Sequence, residues 1–175
     1  MNEDFDKGAG VSLRPVVPED EAFLLRVYAT TRVEELELTD WDVAQKQAFV
    51  TMQFLLQRAD YEKNFASAQH DIILLNGEQI GRMMVDRTRP DEIRGVDIAI
   101  LPEYRSSGVG TQLINALLAE ASARKQPFRI QVTKFNRAIR LYERLGFVMT
   151  GETPTHFAME WLEAKEGGSS QGDKK

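Results

Sequence analysis

The chain is 175 residues long with 42% apolar residues, enough to bury one hydrophobic core in one domain. Its formal net charge of −5 argues against sequence-independent nucleic-acid binding, which draws its affinity from neutralised phosphates. There is no cysteine, which removes disulfides, thiolate metal sites and a cysteine nucleophile, and His70 and His156 lie too far apart to suggest a metal.

In chain order, Val11-Ser12-Leu13-Arg14-Pro15-Val16 reads as a first strand, with Pro15 at its end or on an edge. Pro18-Glu19-Asp20-Glu21 opens a helix, with proline in the first turn and acids near the positive end of the dipole. Thr39 or Asp40 is expected to cap a second helix, running to about Ala59 or Tyr61. Its apolar positions include Val43, Ala44, Phe49, Met52, Leu55 and Leu56. From residue 70 the period changes to that of strands. Residues 70–75, Asn76-Gly77 and residues 79–86 form a hairpin with a type I′ turn.

Residues 92–101 are the next strand, where Gly95 suggests a bulge or a close backbone approach and Pro102 stops the run. A helix follows, with Val109, Leu113, Leu117 and Ala121 stacked four apart. Residues 127–132 are a buried strand. Asn136 caps a short helix to Leu145, and Gly146 supplies its left-handed stop. Residues 147–150 and 155–162 close as a strand pair. The order is β-α-α-β-β-β-α-β-α-β-β, with a folded unit over 11–162 and flexible tails at 1–10 and 163–175. No apolar run approaches the ~20 residues of a membrane span. The acidic start lacks the apolar core of a signal peptide, so a cytoplasmic protein is expected.

The chemistry concentrates in two segments. Arg105-Ser106-Ser107-Gly108-Val109-Gly110-Thr111 joins a strand to a helix and aims backbone N–H groups and a helix dipole at one point, a geometry suited to phosphate. Gly110-Thr111-Gln112 lacks the lysine of a P-loop, and Leu113 stands where a dinucleotide fingerprint needs its third glycine. The second segment carries Asn136, Ala138, Leu141, Tyr142, Glu143, Arg144, Leu145, Gly146 and Phe147.

Together with the order of elements, these two motifs resemble the GNAT superfamily of N-acetyltransferases over most of residues 11–162. The resemblance implies an α+β fold, with a central mixed, mostly antiparallel sheet flanked by helices. It also implies acetyl-CoA as cosubstrate. Arg105, Ser106, Ser107, Gly108, Val109, Gly110 and Thr111 match the pyrophosphate loop. Ile98, Ala99 and Ile100 match the strand whose backbone bonds the pantetheine amides, and plain core packing explains the same residues. Asn136 has two readings, as a helix cap and as a pantetheine contact.

Tyr142 matches the family tyrosine that protonates the departing thiolate; a core tyrosine is the competing reading. For the general base, the branch that acetylates protein N-termini carries a glutamate where this chain has Gln131, which cannot take a proton. Asp97, a lone carboxylate in an apolar strand, is the best replacement; Glu92, a water relay and a purely structural Asp97 stay open. With no cysteine to carry an acyl group, direct transfer to an amine in a ternary complex is expected.

The acceptor is an amine, small molecule or peptide, of unknown identity. Residues 19–46 hold eight acids (Glu19, Asp20, Glu21, Glu34, Glu35, Glu37, Asp40, Asp42) against three bases, which suits either a cationic acceptor or a solvated helix face. Trp41, Phe49 and Phe54 read as core or as walls of an acceptor pocket. A non-catalytic acyl-CoA sensor is the alternative function. The resemblance admits a homodimer, but no exposed strand or heptad in the sequence demands one.

Overall fold

A computed structural model describes residues 10–163, so the expected tails at 1–10 and 163–175 lie, but for residues 10 and 163 themselves, outside the described residues. The strands are β1 (Val11–Pro15), β2 (Gln69–Leu75), β3 (Glu78–Asp86), β4 (Ile93–Ile100), β5 (Phe128–Thr133), β6 (Val148–Glu152) and β7 (His156–Trp161). They form one sheet in the order β1-β2-β3-β4-β5-β7-β6. Every neighbouring pair is antiparallel except β4–β5. The helices are α1 (Glu21–Thr30), α2 (Val33–Glu37), α3 (Val43–Asn64), α4 (Val109–Arg124) and α5 (Ile139–Arg144). This is the expected α+β architecture, with α2 as a short addition, and α4 is the crossover that a parallel pair requires.

Each face of the sheet has its own core. On one side Leu113, Ile114, Leu117 and Ala121 of α4 pack on Ile73, Met83, Val85, Ile93, Phe128 and Ile130. On the other, Leu24 and Tyr28 of α1, Leu36 of α2, and Val50 and Phe54 of α3 pack around Ile72. The Asn76-Gly77 turn has φ of 52° and 86°, as the type I′ geometry demands.

Two expectations for the second helix are corrected. Its cap is Asp42, whose carboxylate accepts from the Gln45 N–H at 2.8 Å while Gln45 Oε1 accepts from the Asp42 N–H at 3.0 Å. This reciprocal box outcompetes Thr39 and Asp40, and the helix continues to Asn64. Its buried residues are Val50 and Phe54, whereas Val43, Met52, Leu55 and Leu56 are exposed. The helix carries apolar residues on two faces, and only one meets the sheet.

The feature that shapes the site is the separation of β4 from β5. Their pairing is limited to Ile93↔Phe128, Arg94↔Arg129 and Gly95↔Ile130. On the opposite edge Met84 pairs with Asp97 but Val85 pairs with Gly95, so Val96 is an extra, bulged residue that bends β4. Gly95 fits the last paired position because a Cβ there would stand 2.9 Å from Ile130 Cγ2 and 3.0 Å from Phe128 Cζ. The joined end is pinned by the buried Glu92, which takes Arg94 and Arg129 at 2.8 Å each and Arg89 at 3.5 Å.

Candidate active site

Beyond Gly95, β4 keeps β3 on one edge and leaves the other open. The Leu101 N–H donates to the Ile80 carbonyl at 2.8 Å, toward β3. A Cβ on Gly81 of β3 would collide with the Ala99 carbonyl oxygen, so Ala99 also turns its backbone toward β3. Because successive residues of a strand face opposite edges, Ile98 and Ile100 present their N–H and C=O groups to the opening. Ala99 therefore differs from its two neighbours: its backbone is spent on the sheet, and its side chain packs with Val27 and Leu101. The Ile100 carbonyl in turn accepts from Arg105 Nε at 2.8 Å.

The open edge leads into the glycine turn. Pro102–Tyr104 makes a 3-10 turn, Ser106 takes φ of 60°, and Gly108 takes φ of 88° as the first residue of the α4 terminus. No side chain caps this helix and no acid lies in its first turn. The first intrahelical bond runs from the Gln112 N–H to the Gly108 carbonyl at 3.0 Å, so the N–H groups of Val109, Gly110 and Thr111 have no acceptor within the helix. Val109 is 4% exposed, its side chain committed to the core. The Ser107 hydroxyl donates to the Tyr104 carbonyl at 2.6 Å and shapes the turn.

Gly110 is where the two sequence motifs meet. A Cβ there would lie 3.7 Å from Ile100 Cδ1 and 3.8 Å from Leu141 Cδ2, so the end of β4, the start of α4 and α5 converge at this glycine. Asn136 does not cap α5 itself, whose N-cap is Ala138; its Oδ1 accepts from the Ala138 N–H at 2.8 Å and closes the turn that precedes the helix. Gly146 closes the helix with φ of 91°. Tyr142, between them, is buried with its ring 5.3 Å from that of Phe147. Burial, and secondarily the charge of Asp97, push its pKa up to about 12.

The family model described as an acetyltransferase (GNAT) domain matches residues 62–149, just over half of the chain. The chain belongs to the GNAT acetyltransferase family. It is accordingly an acyltransferase. Among curated protein sequences none matches it significantly. Among solved structures it is similar to the PaiA N-acetyltransferase of Thermoplasma acidophilum in complex with coenzyme A (16% identity, TM-score 0.64, covering 87% of this chain and 98% of that one). It also resembles a GCN5-related N-acetyltransferase of Rhodopseudomonas palustris (25%, 0.56, 86% and 94%). A third likeness is YncA of Salmonella typhimurium with its cofactor acetyl-CoA (17%, 0.53, 92% and 98%).

In this acetyltransferase the opposite face of β4 holds a polar cluster that the sequence did not announce. Asp97 is not a lone carboxylate: its Oδ2 lies 2.6 Å from a terminal nitrogen of Arg82, which is itself 3% exposed. The same Arg82 nitrogen donates to Gln57 Oε1 at 2.8 Å, and the guanidinium stands 5.7 Å from the Tyr28 ring centroid. Tyr61 is pushed above its ordinary pKa by burial and then by the Asp97 charge. His70 is pushed below its own by burial and then by Arg82. The available signal was a single arginine inside the apolar strand of residues 79–86, in register with Ala99.

The other candidates fall into place by their partners. Glu92 is enclosed by arginines at the joined end of β4 and β5, a structural position away from the opening. Gln131 is exposed on β5, opposite Ala158. Of the eight acids in residues 19–46, Asp20, Glu21, Glu34 and Glu35 are ion-paired with Arg14, Arg58, Arg137 and Arg32, and Asp42 caps α3. Phe54 is a core residue at 4% exposure. Trp41 is exposed and stacks edge-on against Phe49 at 5.1 Å. No helix among the described residues is long and apolar enough to cross a membrane.

Proposed function

We propose that this chain transfers an acetyl group from acetyl-CoA directly to a primary amine, of a small molecule or a peptide. The observation that carries the reading is the continuity of the open edge of β4 with an uncapped helix terminus. The free backbone groups of Ile98 and the N–H of Ile100, whose carbonyl is taken by Arg105, run into the unsatisfied N–H groups of residues 109–111, with Tyr142 on the adjoining helix.

In this reading the pyrophosphate sits on the Gly108–Thr111 amides, where the helix dipole favours negative charge. Ser106, Ser107 and Arg105 shape the turn, and the pantetheine arm lies along Ile98, Ala99 and Ile100 and reaches Asn136. That two of the similar structures hold coenzyme A or acetyl-CoA supports the same assignment. The amine, with Asp97 as its base, attacks the thioester carbonyl, whose oxygen is polarised by the Ile98 N–H. As the tetrahedral intermediate collapses, the C–S bond breaks and Tyr142 gives its proton to the thiolate sulfur. The chain has no cysteine, so no acyl-cysteine intermediate intervenes.

The test is an acceptor panel of polyamines, amino acids, aminoglycosides and peptides, following free thiol released from acetyl-CoA. Thiol release that depends on one acceptor class supports the reading. Tight coenzyme A binding with no release for any acceptor would replace it with the sensor.

A further inference from the structure

We propose that Arg82, clamped by Gln57 of α3, is a positioning residue that aims the Asp97 carboxylate at the acceptor amine. This role rests on Asp97 being the base of the transfer. Arg82 stands opposite Ala99 and Met84 opposite Asp97, so Arg82 and Asp97 are diagonal neighbours on one face of the sheet, within reach of a long side chain. One terminal nitrogen of Arg82, with two hydrogens to give, serves both Asp97 Oδ2 at 2.6 Å and Gln57 Oε1 at 2.8 Å. Asp97 Oδ2 is buried against the guanidinium, while the side chain keeps 17% exposure, so the accessible oxygen is Oδ1. The last torsion of an aspartate is soft, and pinning Oδ2 is what leaves Oδ1 turned outward to take the ammonium proton.

Stability does not account for this arrangement. Phe54, Gln57 and Tyr61 follow at steps of three and four residues and share the inner stripe of α3, while Leu55 and Leu56 are left outside. Apolar side chains at positions 57 and 61 would bury more surface, and a buried ion pair exchanged for well-packed apolar residues is often as stable or more so. Arg82 is 3% exposed, and its Nε meets no acceptor among the described residues, a further cost to the fold. What the cluster gains is a fixed guanidinium, gripped by Gln57 from α3 and lying 5.7 Å from the ring centroid of Tyr28 on α1.

The surrounding groups leave that task to Arg82. Tyr61 of α3 and Tyr142 of α5 are pushed above their ordinary pKa, and His70 of β2 below its own, in each case first by burial. All three sense the charge of Asp97 and are themselves uncharged at neutral pH. Arg82 is the cation placed against it.

The test is a double-mutant cycle between Gln57→Leu and Asp97→Asn. It is read in thiol release from acetyl-CoA with each amine of the acceptor panel, and in coenzyme A affinity. Gln57→Leu removes the carbonyl at similar volume, so kcat should fall about tenfold while coenzyme A affinity is unchanged. In the Asp97→Asn background the same change should cost nothing further, because a residue acting through Asp97 has nothing left to aim. Arg82→Lys, which keeps the charge, should retain more activity than Arg82→Met. Wild-type kcat in Gln57→Leu overturns the proposal. So does a multiplicative loss in the double variant, or an Arg82→Met protein as active as Arg82→Lys. Asp97→Asn at full activity removes the base and the positioning role with it, whereas no release with any amine removes acetyl transfer as a whole.

Discussion

Replacing Gly108 by aspartate separates cofactor binding from folding. Gly108 has φ of 88°, and a Cβ there meets nothing within 4 Å, so the only cost to the fold is conformational. That cost is about 1 kcal/mol for an L-residue in the left-handed region, and aspartate tolerates it better than most. The new carboxylate lies at the positive end of α4, where it gains about 0.3–1 kcal/mol, so stability should change by less than about 1 kcal/mol and the melting temperature by a few degrees. Binding responds differently. A carboxylate about 5 Å from a phosphate oxygen, at an effective dielectric of about 20, is repelled by about 3 kcal/mol, roughly a hundredfold in affinity. Gly108→Ala carries the conformational cost without the charge and should bind within a few-fold of wild type. Calorimetric titration with coenzyme A, beside thermal unfolding of both variants, reads the two effects separately. If Gly108→Asp is folded and binds coenzyme A as well as Gly108→Ala does, the phosphate is not at the α4 terminus.

Tyr142→Phe should lower kcat by about 10²–10⁴ while leaving coenzyme A affinity unchanged, measured by thiol release and titration. The Tyr142 pKa is raised from about 10 in the unfolded chain to about 12, so its contribution to stability is complete below pH 10 and is lost as pH rises through 12; alkaline denaturation of Tyr142→Phe should lack that component. Asp97→Ala strands the 3%-exposed Arg82 guanidinium and should cost about 3 kcal/mol in urea unfolding; an Asp97→Ala protein as stable as wild type contradicts the ion pair. Asp20 is held well below the ordinary carboxylate pKa, first by its hydrogen bonds from Arg14, at 2.7 Å to each oxygen. Its stabilisation is present above about pH 4 and is lost as pH falls toward the lowered folded value, so Asp20→Asn should flatten the acid limb of the stability curve.

Local signals of backbone geometry were the most legible part of the sequence. Asn76-Gly77 and Gly146 announced a type I′ turn and a helix stop because both need positive φ, and Gly95 announced a bulge or a close approach because a Cβ there has no room. The bulge at residue 96 is also the physical start of the β4–β5 opening, so a single glycine pointed to the shape of the site. Long-range pairing was invisible. Asp97 reads as a lone carboxylate until Arg82 is brought beside it, and Glu92 reads as a free acid until three arginines close on it. The failure at α3 has a different cause. Apolar residues at Met52, Leu55 and Leu56 have helical spacing on either face, and periodicity alone does not say which face meets the sheet.

Acetyl transfer is tested most directly by counting free thiol and acetylated amine in the same reaction, with the intact mass of the protein recorded alongside. One thiol per acetylated amine, with no acetylated protein on the path and with a rate that collapses in Tyr142→Phe, is the predicted result. Bound coenzyme A without thiol release, or an acetyl-protein intermediate that forms and decays at the rate of turnover, would contradict direct transfer at the β4–β5 opening.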